Sequence, residues 1–153
     1  MKQRNLPSQM DNLQREKVKK VCYIMVGVSG SGKSTFAHRL WNRHHRDENV
    51  AVFSLDSCRL DFLGLTADDP KKAYAMAFKH AAENQKKFDE YVNTRWAEAL
   101  KADVVMVDNT NLTRKSRARW AQEARSKDFI IVAANIMTPL KVVIERQETR
   151  NDK

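Results

Sequence analysis

Apolar positions along this chain fall in short solid runs separated by stretches with helical spacing. The run Val21-Cys22-Tyr23-Ile24-Met25-Val26 is apolar and rich in β-branched residues, which predicts a buried strand. Residues 33 to about 44 read as a helix with Phe36, Leu40 and Trp41 turned inward. Residues 49–54 form a short second strand. Pro70, preceded by Asp69, opens a helical region reaching about residue 102, in which Tyr74, Phe78, Ala81, Phe88, Val92 and Ala99 keep helical spacing. One straight helix of that length is longer than a small domain is wide, so a break near Asn84 or Asn93 is expected. Residues 103–108 are a third strand, 113–127 a basic amphipathic helix, 129–134 a fourth strand, and 139 to about 150 a last helix. Short apolar strands alternating with helices predict a parallel sheet of about four strands covered on both faces. This is an α/β fold, a three-layer α/β/α sandwich with ligand at the carboxyl ends of the strands.

The residues at those strand ends carry the chemistry. After the first strand comes Gly27-Val28-Ser29-Gly30-Ser31-Gly32-Lys33-Ser34, with Thr35 following at the start of the helix. Strand, octet and helix together make a phosphate-binding loop. Its glycines let the backbone curl so that successive N–H groups meet one phosphate, and the helix N-terminus adds partial positive charge. Lys33 is placed to reach the β- and γ-phosphates, and the Ser34 hydroxyl to take one position on Mg²⁺. A plain Gly/Ser turn is the alternative, and the intact strand and helix on either side weigh against it. The expected ligand is a nucleoside triphosphate with Mg²⁺.

After the second strand comes Ser54-Leu55-Asp56-Ser57-Cys58-Arg59. Asp56 and Arg59 share a face of a starting helical turn. Asp56 could accept a proton from a substrate hydroxyl, and Arg59 could hold a neighbouring anion. Read alone, the same residues are a helix cap and a surface arginine. After the third strand comes Asp108-Asn109-Thr110-Asn111. Asp108 would lie beside Ser34 as a second metal ligand, and Asn109, Thr110 and Asn111 offer neutral polar groups at the rim or a simple turn before the helix that follows Thr113. Arg146 and Arg150 lie one helical turn apart. They suit neutralisation of phosphoryl charge, or they are two exposed arginines at a helix end.

Composition refines this picture. The chain has 153 residues, enough for one domain with a core, a net charge of +9 and 31% charged residues. The basic excess suits a phosphate-rich partner or serves solubility. It is uneven. Asp47, Glu48, Asp56, Asp61, Asp68 and Asp69 fall in one acidic stretch, whereas Arg114, Lys115, Arg117, Arg119, Arg125 and Lys127 crowd the basic helix of residues 113–127. Residues 1–20 read as a basic N-terminal extension, and 21–153 as the domain. Cys22 and Cys58 make no disulfide framework and read as reduced thiols. No run is long enough to span a bilayer and no apolar signal core begins the chain, so a cytoplasmic protein is expected, or one in a host cytoplasm if phage-encoded.

The ordered set of Gly27 to Thr35, Asp56-Ser57-Cys58-Arg59, Asp108-Asn109-Thr110-Asn111, and Arg146 with Arg150 resembles the kinase domain of phage and eukaryotic 5′-hydroxyl polynucleotide kinases, in the P-loop NTPase class. The stretch from Asp108 through Ser116-Arg117-Ala118-Arg119-Trp120 is most similar to the eukaryotic repair kinases. The resemblance implies ATP and Mg²⁺ as cofactors and the 5′-hydroxyl end of DNA or RNA as acceptor. It makes Asp56 the general base and Arg59 the holder of the substrate phosphate. It gives Lys33 and Ser34 to ATP and metal, Asp108 and Thr110 to metal and substrate positioning, and Arg146 and Arg150 to the lid over the ATP phosphates. Family members continue past those arginines with a helix that supports the lid, and this sequence stops at Lys153. No phosphatase signature is present, so no second activity is expected. A small-molecule kinase of the same fold and a non-catalytic ATP-binding module remain the alternative readings.

Overall fold

The computed structural model describes residues 19–44, 49–64 and 70–151; the first 18 residues of the basic extension 1–20 lie outside the described residues. The elements run β1 (Val21–Val26), α1 (Lys33–His44), β2 (Val50–Phe53), α2 (Leu55–Leu63), α3 (Pro70–Glu83), α4 (Gln85–Ala99), β3 (Val104–Val107), α5 (Arg114–Ser126), β4 (Ile130–Asn135) and α6 (Leu140–Asn151). The long helical region breaks at Asn84, one of the two expected places. Its side-chain amide donates to the His80 carbonyl at 2.9 Å, ending α3. Asn93 instead lies inside α4, where its side-chain oxygen accepts from Arg119 at 2.9 Å.

All strand pairs are parallel, in the order β2-β3-β1-β4. The chain leaves β1 toward one edge to make β2, and leaves β3 toward the other edge to make β4. The order therefore reverses between β1 and β3, where a parallel sheet opens a crevice at its carboxyl end. The two loops of greatest chemical interest leave from these central strands.

The sheet has unequal faces. On one, Phe53, Trp96 and Trp120 meet with ring centroids 5.0–5.1 Å apart, burying β2, α4 and α5 against one another. On the other, Met25, Val104 and Met106 pack under Ala37 of α1. Trp41 departs from its expected inward place and is 39% exposed. The inward line along α1 runs through the buried Lys33 and Ala37 and the half-buried Leu40, and Trp41 stands about 80° round the helix from its centre. Cover is also incomplete at the sheet's edges, where Val52 of β2 and Ile130 and Val132 of β4 stay exposed on the α1 side.

A second departure concerns α3. Ala73, Ala77 and Ala81 are its buried line, and two of them, Ala73 and Ala77, pack with Leu60 and Leu63 of α2. Small side chains let the two helices lie close. Tyr74 and Phe78, which share helical spacing with Ala81, Phe88, Val92 and Ala99, face outward at 45% and 60% exposure.

Burial pushes the Cys22 thiol up to about 12 and raises Cys58 as well. A raised folded-state value means stability is intact below the unfolded thiol's ordinary value and is lost as pH climbs from there toward 12. Both thiols should therefore resist alkylation at pH 8 in native protein and react readily in urea, as mass spectrometry of iodoacetamide-treated samples would record. Trp120→Ala should cost about 3–5 kcal/mol in denaturant unfolding; a loss under about 1 kcal/mol would show the aromatic cluster to be loosely packed.

Candidate active site

The loop after β1 is shaped by its glycines and by its neighbours. Gly30 and Gly32 have φ of +82° and +102°, a region side chains avoid. Gly27 is confined differently: a Cβ there would lie 2.6 Å from Ser31 Oγ and 3.2 Å from the Ile136 carbonyl. The Gly27 N–H donates to the Thr110 carbonyl at 3.1 Å, tying the loop to the end of β3.

From the other side, α6 and the turn before it grip three successive carbonyls. Gln147 Nε2 donates to Ser29 O at 2.8 Å, Arg146 donates to Gly30 O at 3.1 Å, and Thr138 Oγ1 donates to Ser31 O at 2.5 Å. In a trans peptide the C=O and the next N–H point opposite ways. Fixing the Ser29 and Ser31 carbonyls toward α6 thus aims the Gly30 and Gly32 N–H groups away from it, making a concave donor surface suited to an anion. Lys33 Nζ donates to Val28 O at 2.8 Å, which folds the ammonium over the same loop. Ser34 Oγ donates to Asp108 Oδ2 at 3.0 Å, so the expected pairing of these two residues forms. Thr35 follows on an exposed position of α1, and Ser31 Oγ is buried with no partner among the described residues. A hydroxyl beside a carboxylate at the mouth of an anion-binding loop is a donor set that fits a hard divalent cation such as Mg²⁺. Beside the loop opens a cleft of about 480 Å³ walled by Val28, Leu112, Ile136, Met137, Thr138 and Pro139.

The β2 end is fastened to the β3 end. Asp108 N donates to Phe53 O at 2.8 Å, and the Asn109 side-chain oxygen accepts from Leu55 N, the first residue of α2, at 2.8 Å. Ser54 caps α2, which leaves Asp56 exposed in its first turn, where the helix end favours negative charge. Asp56 Oδ1 accepts from Arg59 at 2.8 Å. The Arg59 guanidinium lies 4.9 Å from the Phe78 ring centroid and 5.9 Å from that of Phe88.

Asn111 corrects the sequence reading. It was expected to face substrate, but it is 2% exposed with φ of +49°. Its amide donates to Met25 O at 2.8 Å and to Asn109 O at 3.2 Å, so it locks the β3 turn to β1. Asn109 is likewise half-buried and committed to Leu55, while Thr110 is exposed at the rim. Arg117 holds the same turn from α5, donating to Asn111 O at 2.8 Å and Leu112 O at 2.9 Å. In the sequence Arg117 is one of the basic residues of this helix and part of the stretch similar to the eukaryotic repair kinases, with no hold on the turn implied. Nothing in the sequence marked Gln147 or Thr138, since neither belongs to a motif. The Arg150 side chain lies outside the described residues.

An α/β domain with the phosphate loop on its central strand and an aspartate on the neighbouring strand end is a P-loop nucleotide-binding fold. Residues 23–153 match the family described as the AAA domain, and the chain belongs to that family. It is 26% identical over 133 residues to a protein of Autographa californica nuclear polyhedrosis virus named "Putative bifunctional polynucleotide kinase/RNA ligase". That match covers 85% of this chain and 18% of the viral protein. The fold is also similar to a chain of the Pnkp1/Rnl/Hen1 RNA repair complex, with a TM-score of 0.58 and 22% identity over 86% of this chain and 38% of the other. Another solved structure of the same fold is Mycobacterium tuberculosis APS kinase CysC with AMPPNP and APS (TM-score 0.54, 21% identity, 84% of this chain and 69% of that one). The chain thus spans well under half the length of the first two of these proteins. The polynucleotide kinase likeness read from the motifs recurs in these comparisons.

The Asn111 turn yields a direct test. Asn111→Ala should destabilise the domain more than Asn111→Gly, by about 1 kcal/mol, because both lose the amide bonds but only alanine carries left-handed strain. Equal losses in urea melts would mean that the φ of this turn is unimportant.

Proposed function

We propose that this domain transfers the γ-phosphate of ATP to the 5′-hydroxyl end of a DNA or RNA strand. One observation carries the reading. The phosphate loop, the Ser34–Asp108 pair and the Asp56–Arg59 pair all sit at the carboxyl edge of adjacent parallel strands, laced together by Gly27–Thr110, Asp108–Phe53 and Leu55–Asn109 bonds. The viral relative's name and the motif order support the choice of acceptor, as does the +9 net charge.

In this reading the loop N–H groups and Lys33 hold the β- and γ-phosphates, and Arg146, already on the loop at Gly30, lies where it can swing to the transferring oxygens; Arg150 serves the same lid. Ser34 and Asp108 hold Mg²⁺, which supplies charge neutralisation at the phosphates when bound. Asp56 takes the proton of the 5′-hydroxyl. The new bond forms between that oxygen and the γ-phosphorus, the bond from the γ-phosphorus to the bridging oxygen breaks, and ADP leaves with the electron pair. Arg59 releases part of its hold on Asp56 to the phosphate next to the acceptor nucleoside, and Thr110 contributes a hydroxyl at the rim. Most of the acceleration expected of such a site comes from positioning and electrostatics rather than covalent chemistry by the protein.

Thin-layer separation after incubation with γ-labelled ATP and 5′-hydroxyl DNA, RNA and small-molecule alcohols tests this directly. Label should move to an oligonucleotide. Transfer only to a small alcohol would make the domain a small-molecule kinase, and ATP binding without transfer would make it a binding module. Asp56→Asn should lower kcat by about 100-fold or more while leaving ATP affinity within about twofold. Lys33→Ala should weaken ATP binding and transfer together; unchanged nucleotide affinity would contradict the loop's assignment.

A further inference from the structure

The ion pair Asp56–Arg59 has a neighbour that no motif marks. Phe78 lies on α3, a helix whose sequence carries none of the motifs described above, and its ring is in contact with the Arg59 guanidinium at 4.9 Å from the centroid. Arg59 in turn donates to Asp56 at 2.8 Å. Carboxylate, guanidinium and ring are therefore joined by two successive contacts. Yet Phe78 is 60% exposed, and Tyr74, one turn earlier on the same helix face, is 45% exposed. The buried work of α3 is done by Ala73, Ala77 and Ala81, so packing gives no reason for two aromatic rings on the outer face.

We infer that Phe78, extended by Tyr74, is the stacking platform for the terminal base of the acceptor strand. This rests on the polynucleotide reading of the Asp56 site. A base presents a flat π-face whatever its identity, and stacking on an exposed aromatic ring accepts any of them. Arg59 steadies the ring's edge of the site through its cation–π contact, with Phe88 behind it. A nucleotide whose 5′-hydroxyl reaches Asp56 and whose phosphate meets Arg59 would then have its base beside Phe78. Phe78 is a positioning residue, since it touches the base and none of the reacting atoms. It confers preference for a nucleic acid end over an alcohol without a base, and little preference among the four bases.

The test compares wild type, Phe78→Ala and Phe78→Trp with two acceptors, one oligonucleotide with a normal 5′-terminal nucleotide and one whose terminal sugar is abasic but keeps its 5′-hydroxyl. For the normal acceptor, Phe78→Ala should raise the oligonucleotide KM about 10-fold, in the range expected for loss of one stacked base. Phe78→Trp should stay near wild type, and the KM for ATP should not move. With the abasic acceptor, wild type and Phe78→Ala should be indistinguishable. An equal KM increase for both acceptors would overturn the inference, because Phe78 would then act only through Arg59. So would no change with either acceptor. If wild type phosphorylates the normal oligonucleotide, either result leaves the kinase reading standing. If wild type phosphorylates no oligonucleotide, the kinase reading and the platform fall together. Unchanged thermal melting of Phe78→Ala, expected for so exposed a ring, separates these outcomes from unfolding.

Discussion

The short turn after β3 is the constraint on which the site depends. It leaves the strand between β1 and β2 and holds the chain on both sides. Asn111 reaches to Met25 of β1, Thr110 accepts from Gly27 of the phosphate loop, and Asn109 accepts from Leu55 at the start of α2. Each bond contributes only about 1 kcal/mol net, but a buried amide left without its partner costs about 1–3 kcal/mol. A shift of this turn would therefore strand several groups at once. That cost fixes the loop of β1 and the first turn of α2 relative to each other, although Gly27 and Asp56 are far apart in the chain. A site for two reactants requires this kind of mutual positioning.

The opposite side of the loop is held by α6. Gln147, Arg146 and Thr138 occupy the carbonyls of Ser29, Gly30 and Ser31. These contacts orient the loop's donors and place a cation next to them. They also make the loop and α6 one unit, so a phosphate ligand that draws Arg146 toward itself must exchange the bond to the neutral Gly30 carbonyl for one to an anionic oxygen, which is the stronger of the two.

Much of this was legible in the residues. Alternating strand and helix signals, the octet with its flanking elements, and the break at Asn84 all follow from local chemistry that acts within a few residues. Thr113 as a helix cap belongs to the same class, whereas α2 is capped by Ser54 and not by Asp56. What sequence could not yield is side-chain direction where tertiary packing decides it. Asn111 looks like a polar rim residue until β1 is placed beside it. Tyr74 and Phe78 have helical spacing with the core residues Phe88 and Val92, but the break at Asn84 resets the phase and gives the inner face of α3 to alanines. Trp41 falls off the stripe by less than a third of a turn of α1. Gln147 and Thr138 are invisible because a single long-range bond leaves no periodic trace.

The proposed transfer requires the carboxylate after β2 to face the phosphates held after β1 across one crevice. A crystal structure with ADP, aluminium fluoride, Mg²⁺ and a 5′-hydroxyl dinucleotide measures that arrangement directly. An Asp56 carboxylate oxygen should lie within hydrogen-bond reach, about 2.6–3.2 Å, of the attacking 5′-oxygen, with the fluoride in line behind it. An acceptor bound elsewhere, with Asp56 turned to solvent and still paired only with Arg59, would contradict it.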